Sequence, residues 1–339
     1  MKRALVIATT VFCLALKCAA QLAPASPPIA DLKDARFDAA TEDWTSPALT
    51  KSHLHAVPPI SSGVNDLPSC TLEILRVQWR WGDPIDLFVM KPKNVKKPPV
   101  VLYLYGYPSG TDRFRQTTFQ QAATRDGFAA VGFASALSGQ RYHDRPLKQW
   151  FVSELQESLA VSAHDVQMVL DYLATRGDLD MDRVGMFAQD SGASIAILAS
   201  AVDPRIKVLD AVDPWGDWPH WLATSPAVPE TERAAYSKPE FLKKVAPLDP
   251  VEWLPKIQAK KFRLQDAIFA PTTPKVAKEK IRAAVTTEPG RATVVIYKTP
   301  IETQAVVRGD RVLEWIKHEL QALGQPPPNQ KLAAAQSTY

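Results

Sequence analysis

The sequence predicts an α/β fold in which a mostly parallel central sheet carries helices on both faces. Three observations carry this prediction. Residues 99–105 form a continuous apolar run, as in a strand buried on both sides. Strand-like and helix-like segments alternate from about residue 99 to 320, the pattern of a layered α/β domain. Residues 184–188 then run through a tight turn around Gln189-Asp190-Ser191-Gly192 into a helix of small residues.

Residues 71–81 and 85–90 are rich in β-formers, and Gly82-Asp83-Pro84 between them predicts a hairpin or tight bend. A helix is expected over 117–125, a strand over 127–134 and a longer helix over 153–175. In that long helix Val166, Val169, Leu170 and Leu173 fall at i, i+3, i+4 and i+7, which places them on one buried stripe. The strand 184–188, its helix 191–200 and a strand at 206–212 follow. After an interruption come strands at 262–264 and 293–297 and helices at 274–285 and 311–320. No internal repeat is found.

The chain has 339 residues, enough for one large domain with appendages. Lys2-Arg3, an apolar stretch over 4–16 and small residues at 18–20 predict a signal peptide over residues 1–20. The stretch is shorter than the roughly 20 residues of a membrane span. The protein is therefore expected to be exported, periplasmic or extracellular, with no stable membrane anchor after cleavage. Cleavage leaves Cys70 alone, so no internal disulfide is expected. Residues 21–69 read as a proline-rich lead-in, 70–322 as the domain, 214–255 as an insertion within it, and 323–339 as a disordered tail. The insertion holds Trp215, Trp218, Trp221 and Trp253. A formal charge of +4 without a long basic run argues against nucleic acid as a partner. His53 and His55 alone have ligand spacing and lie in the irregular lead-in, so neither a metal nor another cofactor is expected.

The turn at 188–192 and the segment Leu102-Tyr103-Leu104-Tyr105-Gly106-Tyr107-Pro108 together resemble the α/β-hydrolase superfamily, in particular esterases, dienelactone hydrolases and prolyl-oligopeptidase catalytic domains. The resemblance covers about residues 71–320. It implies an α/β-hydrolase fold with the tryptophan-rich insertion as a cap over the site. In the family motif G-x-S-x-G a nucleophile stands at the centre of a strand-to-helix elbow. Here Ala188 and Gly192 take the small positions and Asp190 takes the centre. The resemblance implies oxyanion-hole donors at Ser191 and in Gly106 and Tyr107, and ligand contacts from Tyr105, Gln189, Trp215 and Trp218.

The family's histidine belongs in the segment after the last strand, here residues 298–304, which contain none. Its acid falls at about Ile268 or Phe269, both apolar, with Asp266 nearby. Asp190 is thus read as a helix cap with a lowered pKa, or as a carboxylate nucleophile in the manner of dehalogenase-like relatives. Ser191 is the other candidate nucleophile. His143 and His220 are candidate replacement bases, whereas His164 and His318 read as helix-surface residues. The expected function is an exported protein of the esterase/peptidase lineage lacking a Ser-His-Asp triad, weakly active or non-catalytic, that binds a small-molecule or peptide ligand. The alternative is an active ester or amide hydrolase using Asp190 or Ser191 with a non-standard base.

Overall fold

The computed structural model describes residues 42–52, 54, 56–80, 82–137, 141, 151–285, 290–307 and 311–324. The signal peptide, His53, His55, His143 and the tail beyond residue 324 lie outside these. Among the described residues no helix is long and apolar enough to cross a membrane.

Three antiparallel strands open the sheet: β1 (Ile60–Asp66), β2 (Cys70–Val77) and β3 (Ile85–Pro92). β1 lies within the proline-rich lead-in of residues 21–69, where the sequence reading placed no strand. It is an edge strand, largely exposed and interrupted by a register shift between Ser61 and Gly63, so it carries no apolar alternation. The sheet continues through β4 (Pro99–Leu104), α1 (Thr117–Thr124), β5 (Ala129–Gly132), α2 (Leu155–Thr175), β6 (Asp180–Gln189), α3 (Ser191–Val202) and β7 (Ile206–Val212). The insertion folds as four short helices: α4 (Trp218–Thr224), α5 (Glu230–Tyr236), α6 (Pro239–Val245) and α7 (Pro250–Trp253). β8 (Lys261–Ala267), α8 (Lys275–Ala284), β9 (Ala292–Tyr297), α9 (Pro300–Val307) and α10 (Arg311–Leu323) complete it.

The nine strands lie in the order β1-β2-β3-β5-β4-β6-β7-β8-β9. β3 meets β5 antiparallel, and from β5 to β9 every neighbouring pair is parallel. Alternation along β4 shows how the sheet divides two cores. Val100, Leu102 and Leu104 pack with α2, α3 and the insertion, while Val101, Tyr103 and the following Tyr105 pack with α1 and α10. The predicted stripe of α2 is fully buried, and so is most of the rest of that helix.

His164 is a correction on the same helix. It is 0% exposed, not on the surface. Its Nδ1 lies 2.6 Å from Glu42 Oε1 and its Nε2 3.0 Å from the Ser46 carbonyl, because residues 42–49 cross this face of α2. Glu42 in turn accepts from Arg80, Arg80 and Arg141 share Asp165, and Arg141 also holds Asp83.

Candidate functional site

The last residue of β6, Gln189, pairs in register with Val212 of β7, and the Asp190 N–H donates to the Val212 carbonyl at 2.9 Å. At Asp190 the backbone turns to φ 50°, ψ −125°. That left-handed conformation is costly for a residue with a Cβ, on the order of 1–3 kcal/mol, and is retained where the surroundings enforce it. The surroundings do so by close approach. A Cβ on Gly106 would lie 2.4 Å from Asp190 Cβ, and one on Gly192 would lie 2.4 Å from the Leu104 carbonyl oxygen. Two glycines therefore let the turn press against the end of β4.

The helix-cap reading of Asp190 is corrected. Its side chain makes no cap bond to α3, and among the described residues no hydrogen-bond donor meets its carboxylate. The backbone angles that form the elbow aim the side chain away from the helix's first turn. Its pKa is raised, not lowered: burial, with the Asp213 charge added, pushes it up to about 6, and Lys278 pulls back only part of this.

Ser191 is the first residue of α3 and is 0% exposed. Its Oγ accepts from the Tyr107 N–H at 2.9 Å. The elbow register therefore belongs to Asp190, and the Ser191 hydroxyl is turned inward and does not stand over the sheet. The same contact engages the Tyr107 N–H, one expected oxyanion-hole donor. The backbone N–H of Ser191, at the helix start, has no intrahelical acceptor. Gly106 contributes the close approach.

The expected ligand contacts divide. Gln189 is half-buried beside the elbow. Tyr105 is buried against Phe114, Phe119 and Phe187, with the Arg113 guanidinium 4.2 Å from its ring centre, so it belongs to the core under α1. Trp215 stacks on Trp221 at 4.7 Å, and Trp218 meets Trp221 edge-on at 5.8 Å. All three are at most 1% exposed. Trp215 is fixed to α3 because Ser194 Oγ bonds both its N–H and its carbonyl. These rings pack the insertion onto the domain instead of forming an aromatic wall. Trp218 also borders a cleft of about 490 Å³ together with Asp217, Leu242, Asp249 and Lys280.

His220 is half-exposed, its Nδ1 2.7 Å from Asp217 Oδ2, and it is not among the charges acting on Asp190. His318 is exposed. Ile268 and Phe269 are exposed at the acid's place. The segment 298–304 holds the start of α9, where Thr299 Oγ1 accepts from the Glu302 N–H and Glu302 accepts from the Lys298 N–H. That Thr-Pro-Ile-Glu sequence is a capping signature with proline at the first helical position, and it was legible.

Sequence reasoning missed Asp213 and Lys278. Asp213 follows β7 with φ 47° and so stands beside the elbow. Its Oδ1 accepts from the Ala267 N–H at 2.7 Å and from Lys278 Nζ at 3.0 Å. Lys278, 4% exposed, also donates to Asp266 at 2.9 Å and to the Ala267 carbonyl at 3.0 Å, and Arg282 pairs with Asp266. Burial raises the Asp213 pKa, while Lys278 and the Ala267 N–H hold it back. The Asp-Pro pair directly after a strand was the available signal for Asp213. Nothing in the charged pattern of α8 marked Lys278 as buried.

Comparison with known proteins bears on this frame. No protein-family model matches the chain. Acetyl xylan esterase 1 from Thermoanaerobacterium sp. JW/SL YS485 superposes with a TM-score of 0.59 at 15% identity, over 76% of this chain and 87% of that one. This chain has the α/β-hydrolase fold. Acylaminoacyl peptidase of Pyrococcus horikoshii superposes with a TM-score of 0.53 at 13% identity, over 77% of this chain and 49% of that one. In sequence, YtaP of Bacillus subtilis (strain 168), a hydrolase by name, is 23% identical over 154 residues, 40% of this chain. The matched segment spans 50% of that curated relative's length.

Proposed function

We propose that this α/β-hydrolase-fold chain is an exported protein of the esterase/peptidase type that binds a small-molecule or peptide ligand at its elbow and has given up serine-based turnover. The observation that carries this reading is the elbow itself. The strained turn is kept, its centre is an aspartate, and the neighbouring serine is buried with its hydroxyl on the Tyr107 N–H. Among the described residues the charged partners of Asp190 are Asp213 and Lys278, with no imidazole between them. Export rests on the sequence of residues 1–20, and the thin positive charge supports a ligand other than nucleic acid.

A second reading, turnover of ester or amide bonds with Asp190 as nucleophile, is favoured by one specific observation. A desolvated carboxylate held in a costly conformation is characteristic of functional sites. One set of assays separates the two. Nitrophenyl ester and peptide nitroanilide turnover is followed from pH 5 to 9 in the parent protein, Asp190→Asn and Ser191→Ala, alongside fluorophosphonate labelling. The first reading expects no label at Ser191 and no turnover that either substitution removes. Turnover lost only in Asp190→Asn establishes the second. A label on Ser191, or turnover lost in Ser191→Ala, overturns both.

A further inference from the structure

We propose that Asp190 and Asp213 form one proton-sharing carboxyl pair, with Lys278 as the positioning residue that keeps the negative charge on Asp213 and leaves the proton to Asp190. This deepens the reading of the elbow as a ligand site and rests on it only for its use. The geometry is that of two adjacent parallel strands ending together. Gln189 and Val212 are in register, the Asp190 N–H bonds the Val212 carbonyl, and the two aspartates are the next residues of strands whose backbones run about 4.8 Å apart, close enough for the Asp213 charge to act on Asp190. Both leave their strands at positive φ, 50° and 47°.

Their surroundings differ in one decisive way. Asp213 receives a backbone N–H from Ala267 and the Lys278 ammonium, two donors that only an anionic oxygen satisfies fully. Asp190 receives none among the described residues. Two neighbouring carboxyls in a partly desolvated place do not both ionise freely, so the first proton goes to the one without donors. The other groups facing the pair are Asp266 from β8, which Lys278 and Arg282 neutralise, and Tyr297 from β9, which couples weakly to Asp213. Lys278 is the one cation bonded to both Asp213 and Asp266, which fits it to set the balance.

A pair holding one proton presents a hydrogen-bond donor and an anionic acceptor side by side. That combination suits a neutral ester or amide group better than a cation, since Asp190 donates to a carbonyl while Asp213 accepts from an N–H or a water.

The test reads the carboxyls directly and uses no substrate, so its failure is distinct from failure of the hydrolase-type reading. The full-length protein labelled with ¹³C at aspartate carboxyls is titrated by NMR, with Asp190→Asn and Asp213→Asn giving the assignments. In the parent protein both carboxyl signals are expected to move in the same two steps. In Asp213→Asn, Asp190 is expected to titrate in one step shifted down toward the ordinary aspartate range of about 4. Lys278→Met, which leaves Asp213 only the Ala267 N–H, is expected to raise the Asp213 step and draw the two steps of the pair together, and Lys278→Arg to keep them apart. Independent single-step titrations in the parent protein, or an Asp190 midpoint unmoved in Asp213→Asn, overturn the proposal. Should Asp213→Asn fail to fold, the parent titration and the Lys278 pair still decide it.

Discussion

Two buried ionic clusters flank this sheet, and they are built on opposite principles. In the first, Glu42, Arg80, Asp165, Arg141, Asp83 and His164 close on one another. Arg80 reaches Glu42 through two nitrogens, Arg141 grips Asp83 through two, and Asp165 spends one oxygen on each arginine. In the second, Lys278, Arg282, Asp266 and Asp213 are likewise paired, but Asp190 beside them meets no donor among the described residues. A closed cluster fixes structure, and one with a donor-free member is where the proposed ligand site falls. The comparison teaches that burial of charge alone does not distinguish the two clusters; the completeness of their partners does.

The largest effect is expected from breaking the closed cluster at its centre. Asp165→Asn removes the buried negative charge that Arg80 and Arg141 share, leaving each with its one other carboxylate, and is expected to cost about 3–5 kcal/mol in urea unfolding. A loss under 1 kcal/mol would remove the contrast drawn here.

Next come two carboxyls with opposite pH signatures. Burial works against the Glu42 charge, yet hydrogen bonds from His164 and Arg80 hold its pKa down to about 2. Its stabilisation is therefore full above its ordinary value near 4.5 and is lost as pH falls toward 2. Glu42→Gln is expected to destabilise by about 3 kcal/mol at pH 7 and progressively less in acid. Asp190 runs the other way. Raised to about 6, it favours the folded state below its unfolded value and loses that contribution as pH rises through 6. Asp190→Asn is expected to stabilise by on the order of 2–3 kcal/mol at pH 8, with no gain near pH 4. Equal effects at both pH values would erase the difference between the clusters.

The smallest effect is expected at Ser191. Ser191→Ala removes the acceptor of the Tyr107 N–H and is expected to cost about 1 kcal/mol in urea unfolding.

How much of this was legible follows from where each signal resides. β4, β7 and α2 were plain because apolar spacing reports burial directly, and the elbow was plain because Gly106 and Gly192 sit where backbone meets backbone. β1 was missed because an exposed polar edge has no buried face to imprint on its sequence. His164 and Lys278 were misjudged for a shared reason. A polar side chain on a helix looks solvated until the distant segment that covers it is known, and those segments are residues 42–49 for one and the ends of β7 and β8 for the other. Trp215 and Trp218 read both as packing for the insertion and as ligand contacts, and rings placed close in sequence pack on a shared neighbour, Trp221.

Helix α9 has a consequence for redesign. Thr299 and Glu302 stitch its opening turn shut directly after β9. A histidine written into residues 299–302 arrives on a wound spiral whose end is already claimed. Giving this sheet edge a swinging imidazole takes an unwinding as well as a new side chain, so no one-letter edit achieves it.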